Sequence, residues 1–193
     1  MMHKADKRVE RTRSAILKAF KEMIVEKDFN DITIKELAIR AGINRKTFYL
    51  HYESMDEILF DLSLELSDKI VAGLVKRDFF KHSSDEEQLN ILIDAISETI
   101  NSDYTLASKL ITNDTYHFFS REIKNLVKEY IISKISPKSD LDSRHLSLIG
   151  DFVASGIAKV FKEWFIKPGD LSLNDIAILI SNIVYNGIHA FSK

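Results

Sequence analysis

A short stretch near the N-terminus gathers side chains that can contact a nucleic-acid duplex. Its polar and charged members are Asn44, Arg45, Lys46, Thr47, Tyr49 and His51. Arginine and lysine donate hydrogen bonds to guanine edges, asparagine bonds to adenine, and hydroxyl groups donate to phosphate oxygens. A short helix that presents such a set is typical of a recognition helix in a DNA major groove. Arg45 can donate two bonds to one guanine, which is worth about 1–3 kcal/mol of base discrimination.

The surrounding residues predict a helix, a tight turn and a second helix. Thr33 and Glu36 have the spacing of a capping box at the start of the first helix. Gly42 suits the left-handed conformation that ends such a helix, and Asn44 can cap the second one, over about residues 45–51. Two short helices joined by a tight turn indicate a helix-turn-helix unit.

Apolar side chains must hold these two helices at a fixed angle. The candidates are Ile34, Leu37, Ala38, Ile43 and Phe48. We expect Phe48 to be buried and Tyr49 to be exposed, because only the tyrosine carries a hydroxyl that can bond outside the core. The reverse assignment is the alternative. His51 alone is more typical of a helix end, and only its place in the set marks it as a DNA contact.

Enzyme and metal chemistry has no signature in the sequence. Cysteine is absent, which excludes thiolate ligands, cysteine nucleophiles and disulfides. The six histidines form no pair at a four-residue spacing and no HExxH pattern. GxSxG, P-loop and GxGxxG patterns are also missing. The sequence therefore predicts no enzyme, no metal and no cofactor.

The composition favours long helices, because 193 residues include only 6 Gly and 2 Pro. Caps and apolar periodicity predict nine helices and no sheet, over about residues 8–27, 33–41, 45–51, 55–76, 85–100, 104–112, 115–136, 142–166 and 173–191. We predict an all-α fold, with a three-helix helix-turn-helix domain over residues 1–54 and a helical regulatory and dimerisation domain over residues 55–193. The charged N-terminus and the lack of a long apolar run predict a cytoplasmic protein without a membrane span.

Charge is distributed unevenly along the chain. Residues 1–52 hold 12 Lys and Arg against 7 Asp and Glu, a net charge of +5, although the whole chain is at −2. A basic end on an acidic body suggests that this end meets a polyanion. Lys4, Lys7, Arg8 and Arg11 could form an arm that reaches phosphates or a minor groove, and a frayed, solvated terminus is an equal alternative.

Several segments between residues 9 and 60 resemble the DNA-binding region of TetR-type transcriptional regulators. They are Thr12–Phe20, Phe29–Ile34, Glu36–Ala38, Ala41–Ile43, Thr47–Ser54 and the pair Ile58-Leu59. The resemblance covers a quarter to a third of the chain. Beyond it, only the helical character and the length are similar.

The resemblance implies a homodimer with an N-terminal DNA-binding head and a C-terminal helical body, which in this family usually binds a small molecule. It implies that Asn44, Arg45 and Lys46 face bases or nearby phosphates. It also implies that the DNA backbone is held by Thr33, Thr47, Tyr49 and His51. Many family members have lysine where this chain has Met55, so one expected phosphate contact is missing.

An aromatic cluster of mixed polarity in the C-terminal part is a candidate ligand site. It comprises Tyr104, Tyr116, His117, Phe118, Phe119 and Trp164. Ligand pockets are mostly apolar with a few placed polar groups, and this cluster fits that description. Ordinary core packing fits it as well and is the favoured reading.

The last two predicted helices carry more apolar residues than one buried face needs. We expect a four-helix dimer interface through Phe152, Gly156, Val160, Ile180, Ile183, Val184 and Gly187. The alternative is that both stripes close the core of a monomer.

These observations predict a sequence-specific DNA-binding regulator. The first hypothesis is a homodimeric repressor that binds a double-stranded operator and is released by a small-molecule effector. One alternative is an activator or coactivator whose C-terminal domain binds a protein partner. The other is a helical enzyme or adaptor with an incidental basic head.

Overall fold

The computed structural model describes residues 4–81, 84–113 and 116–189, and these ranges are helical with no strand. The nine α-helices are α1 (Lys4–Glu26), α2 (Ile34–Arg40), α3 (Arg45–Tyr49), α4 (Met55–Lys76), α5 (Asp85–Ser102), α6 (Tyr104–Thr112), α7 (His117–Ile135), α8 (Ser143–Ile166) and α9 (Leu173–His189). The all-α prediction is confirmed. Within the described ranges, none of the helices is both long and apolar enough to cross a membrane.

The chain divides into two compact units, and the division falls inside α4, between Leu64 and Glu65. The sequence placed the domain boundary earlier, at residue 54. The first turns of α4 belong to the N-terminal unit because Ile58, Leu59 and Leu62 are buried there. Asp61, on the same turns, bonds to side chains of that unit.

The core of the first unit is built on one apolar face of α1. Its buried residues on α1 are Ile16, Ala19, Phe20, Met23 and Ile24. Leu37 and Ala38 of α2 and Phe48 of α3 are also buried, whereas Tyr49 is 47% exposed. The preferred assignment of the two rings is confirmed, because the phenylalanine fills the core and the tyrosine faces outward.

Local hydrogen bonds define both ends of α2. The Glu36 backbone N–H donates to the Thr33 hydroxyl (3.2 Å), and the Thr33 backbone N–H donates to the Glu36 carboxylate (3.2 Å). An ion pair with Lys27, followed by the bonds from Thr33, lowers the pKa of Glu36 to about 2. At the other end Gly42 has φ +67°. Its N–H donates to Ile39 and the Ile43 N–H donates to Ala38, which is the pattern of a Schellman motif.

The second unit is a bundle in which α7 packs along α8 and α5 packs along α9. Gly150 allows α7 and α8 to approach closely, since a Cβ there would lie 2.8 Å from Cγ of Lys128. Lys134 of α7 forms an ion pair with Asp85 at the start of α5 (3.3 Å). α7 ends at Ile135, just before Pro137, because proline lacks the N–H that would continue the helix.

Replacing Gly42 tests the left-handed turn that joins α2 to α3. A Cβ at Gly42 would meet no atom within 4 Å, so the cost of Gly42→Ala comes from backbone strain alone. We expect a loss of about 1–2 kcal/mol in the free energy of unfolding, measured by urea denaturation with far-UV circular dichroism. Gly42→Asn is the control and should lose less, because asparagine adopts this conformation more readily. Equal losses would contradict the explanation.

Candidate nucleic-acid interface and the cavity of the second unit

The N-terminus of α3 is organised by Asn44. Its side-chain oxygen accepts hydrogen bonds from the Thr47 backbone N–H (2.8 Å) and from the Thr47 hydroxyl (3.1 Å). Thr33, at the start of α2, donates its hydroxyl to Glu36 (2.8 Å). These three residues, which the sequence predicts as DNA contacts, therefore also hold the two helices in shape.

Arg45, Lys46 and Tyr49 form the exposed face of α3. The Arg45 guanidinium donates to the Tyr49 hydroxyl (3.2 Å), and its central carbon lies 5.6 Å from the centre of the Tyr49 ring. Because a guanidinium has five N–H donors, this single bond leaves the others for an acceptor outside the protein. Within the described residues, neither Arg45 nor Lys46 forms an ion pair. The face is therefore a cationic surface with one oriented arginine.

His51 lies just after α3, which ends at Tyr49 rather than at the predicted residue 51. The side chain is half-buried, and its backbone N–H donates to the Phe48 carbonyl (2.9 Å). Its position is that of a histidine at a helix end, next to the exposed face.

A second group of cations lies on α1. Lys7, Arg8 and Arg11 are exposed, and no described residue forms an ion pair with them. Because α1 begins at Lys4, these cations lie on a regular helix and not on an extended arm or a frayed terminus. The side chain of Lys4 lies outside the described part of the structure.

A network that sequence reasoning missed anchors the segment after α3. The Tyr52 hydroxyl donates to the Asp61 carboxylate (2.7 Å), and Arg13 forms an ion pair with the same carboxylate oxygen. The Arg13 guanidinium also lies 4.7 Å from the centre of the Tyr52 ring. The network ties α1, the end of the α3 segment and α4 together. Nothing in the local spacing marks it, because Arg13 and Asp61 are far apart in sequence.

The protonation states in this network are well defined. Burial, and then the hydrogen bond to Asp61, raise the pKa of the Tyr52 hydroxyl above its ordinary value. The hydrogen bond to Asp61 raises the pKa of the Arg13 guanidinium. Tyr52 is therefore a neutral donor and Arg13 a cation throughout the physiological range of pH.

The second unit contains a cavity of about 360 Å³. Of the predicted pocket residues, Tyr116 lines it. Tyr104 and Trp164 instead pack with Phe165, with the Tyr104 ring centre 6.2 Å from Trp164 and 5.1 Å from Phe165. The side chains of His117, Phe118 and Phe119 lie outside the described part of the structure. Three lysines that the sequence analysis did not single out also line the cavity, namely Lys124, Lys159 and Lys162.

The residues predicted for a dimer interface fall into two groups. Phe152 is 81% exposed and Ile183 61% exposed, while Gly156 and Gly187 are exposed and Val160 is half-buried. Ile180 and Val184 are instead buried in the core of the second unit. The prediction for those two residues needs correction, because a side chain that already packs inside its own unit has no surface to offer a partner.

Residues 16–62 match the family model described as bacterial regulatory proteins, tetR family. This segment, about a quarter of the chain, is similar to the N-terminal region of TetR-family regulators. The match covers all of α2 and α3, residues 16–26 of α1 and the first turns of α4. Among the described residues, no group of acidic and histidine side chains could hold a metal ion.

Curated relatives extend the likeness beyond this segment. The HTH-type transcriptional regulator YxbF of Bacillus subtilis is 35% identical over 48% of this chain and 25% of its own length. The transcriptional activator of the dhaKLM operon, DhaS of Lactococcus lactis, is 24% identical over 94% of this chain and 93% of its own length. The chain spans a quarter of YxbF and about half, 48%, of a related regulator from Haemophilus influenzae.

Solved structures share the fold. The regulator FadR of Bacillus subtilis, in complex with stearoyl-CoA, has a TM-score of 0.69 at 18% identity, covering 91% of this chain and 99% of that one. At this identity the likeness shows that the helices are arranged in the same way. It does not identify a ligand of this chain.

Substitutions at Tyr49, the last residue of α3, and at Tyr52, three residues later, should differ in their effect on stability. Tyr52→Phe removes a partly buried hydrogen bond to Asp61, so we expect a loss of about 1 kcal/mol in the free energy of unfolding. Tyr49→Phe removes an exposed hydroxyl and should change stability by less than about 0.5 kcal/mol. Urea denaturation of both variants checks this pair, and an equal loss in each would show that the Tyr52 network does not anchor the unit.

Proposed function

We propose that this chain is a sequence-specific, DNA-binding transcriptional regulator of the TetR type that acts in the cytoplasm. The observation that carries the proposal is the exposed face of α3, where Arg45, Lys46 and Tyr49 stand outward on a helix capped by Asn44. The N-terminal residues of a recognition helix contact base edges in the major groove, and Arg45 and Lys46 are the first two residues of α3.

The chemistry of each side chain assigns it a role on the duplex. Arg45 and Lys46 read base edges or nearby phosphates, and Arg45 is suited to a guanine. Tyr49, Thr47 and His51 contact the DNA backbone and set the position of the helix. Thr33 and Asn44 lie at the N-termini of α2 and α3, where backbone N–H groups also favour phosphate. The cations Lys7, Arg8 and Arg11 add attraction that does not depend on sequence.

The functional unit in this proposal is a homodimer formed through α8 and α9. Phe152 and Ile183 expose large apolar side chains, and exposed Gly156 and Gly187 permit helices of a partner to approach closely. An interface of two helices from each subunit would cover this surface. Two-fold symmetry then places the recognition helices about 34–36 Å apart, to match a pseudo-palindromic operator.

The cavity of the second unit is the proposed effector site. FadR, the structural relative, is named with an acyl-CoA ligand, which supports a small molecule in the corresponding unit here. α4 is the proposed lever, because this one helix carries Asp61 of the first unit and Ile70 of the cavity lining. An effector releases DNA only if it binds the non-binding state more tightly, since equal affinities shift no population.

Repression is our first proposal for the direction of control, and activation is the second. Activation is favoured by one observation: the relative that matches nearly the whole chain, DhaS, is named an activator. In that case the second unit would bind a protein partner. In vitro transcription from a bound promoter distinguishes the two, because a repressor lowers transcript yield in the absence of effector and an activator raises it.

DNA binding should depend on the exposed face of α3. With a fragment from upstream of the gene for this chain, we expect Arg45→Ala to weaken binding by about tenfold or more in a gel-shift titration. Tyr49→Phe should also weaken it, through the lost backbone contact. Lys46→Ala should flatten the dependence of log affinity on log salt by about one unit if Lys46 binds phosphate.

Arg144→Ala is the matched control for these substitutions. It removes an exposed cation from the second unit, on α8, and should leave DNA affinity unchanged. Unaltered affinity in both Arg45→Ala and Tyr49→Phe would remove the assignment of α3 as the DNA-binding face.

Dimer formation should depend on the exposed apolar residues of α8 and α9. We expect Ile183→Glu or Phe152→Glu to convert the protein from dimer to monomer in sedimentation velocity, because an unpaired carboxylate would be buried in the interface. Val75→Glu makes the same change at an exposed position on α4 and should leave the dimer intact. A wild-type monomer, or a dimer that tolerates both substitutions on α8 and α9, would contradict the proposed interface.

A further inference from the structure

The cavity of the second unit has an apolar body and a cationic side. We propose that its ligand is an amphipathic anion, an unbranched aliphatic chain of about ten carbons with a carboxylate head group bound by Lys124. This inference deepens the proposed function by naming the class of effector. It rests on that function only for the regulatory role of the ligand.

The apolar lining favours an aliphatic chain. It is contributed by α4 to α8 and includes Ile70, Ile96, Ile100, Leu110, Ile123 and Ile157. Only two of the described lining residues, Tyr116 and Phe161, are aromatic, so few rings are available to stack on a planar ligand. Branched aliphatic walls match a flexible hydrocarbon, whose burial is favourable along its whole length.

The size of the cavity limits the length of the chain. A water molecule occupies about 30 Å³ in the liquid, and a methylene group is of similar size. The cavity of about 360 Å³ therefore holds roughly a dozen non-hydrogen atoms. Decanoate, with ten carbons and two oxygens, has this size.

The lysines that line the cavity indicate a negatively charged head group. Lys124 of α7 and Lys159 and Lys162 of α8 line the cavity, and its described lining includes no Asp or Glu. Lys159 forms an ion pair with Glu163 at the surface. Lys124 is half-buried, and none of the described residues forms an ion pair or hydrogen bond with its ammonium group. A partly desolvated cation beside an apolar cavity binds a carboxylate more strongly than it binds a hydroxyl.

Isothermal titration calorimetry of the full chain with decanoate and with decanol tests this assignment. The two probes have the same chain length, and only decanoate is charged. We expect decanoate to bind at least about tenfold more tightly than decanol, and we expect Lys124→Met to remove this preference while decanol binding stays the same.

Two variants control for the position and for the cavity. Lys128→Met replaces a lysine one turn along α7 whose ammonium bonds to Ser147 and Asp151, and it should keep the preference for decanoate. Ala158→Phe fills part of the cavity and should weaken both probes. Circular dichroism of each variant verifies that it is folded.

Each outcome decides the inference. A preference for decanoate that disappears only in Lys124→Met supports it. The inference is overturned if neither decanoate nor decanol binds, or if the wild type binds both equally. It is also overturned if Lys124→Met keeps the preference for decanoate. Gel shifts without ligand test the proposed DNA-binding function separately from the identity of the ligand. If the chain binds DNA but neither probe, the proposed function stands and only the assignment of this ligand fails. If the chain binds decanoate through Lys124 but does not bind DNA, the ligand site stands and the regulatory role of the ligand fails.

Discussion

The arrangement of the candidate DNA-binding face depends on a helix that is too short to be stable by itself. Nucleation of a helix is unfavourable, and five residues add little propagation to offset it. α3 exists because the Asn44 side chain accepts from the Thr47 N–H, Gly42 supplies the turn before it and Phe48 buries a ring beneath it. The orientation of Arg45 and Tyr49 follows from these three constraints.

Features that depend on one residue or on residues close together in the chain were predictable from the sequence. The capping box of Thr33 and Glu36, the left-handed Gly42 and the cap at Asn44 are all of this kind, and the structure contains each of them. The network of Arg13, Tyr52 and Asp61 was not predictable, because it joins residues that only the folded chain brings together. The same network explains why the first unit extends into α4 beyond the predicted boundary.

The second unit shows where periodicity stops being informative. α9 is apolar around much of its circumference, so its pattern predicts burial without indicating which face packs inside. In the structure Ile180 and Val184 face the core while Ile183 faces outward. Lysines on helices are solvated by default, and no spacing distinguishes Lys124 from the others. Its position beside the cavity is a property of the packing of α7 against its neighbours.

The residues in and next to α3 fall into a structural group and an exposed group. Asn44 and Phe48 maintain the fold, whereas Arg45, Lys46 and Tyr49 are exposed and contribute little to the core. Mutations at the exposed positions therefore have a small effect on folding. Under the proposed function they have a large effect on which DNA sequence is recognised. Gene duplicates of such a chain can diverge toward new target sites by single substitutions, without first acquiring compensating changes in the scaffold.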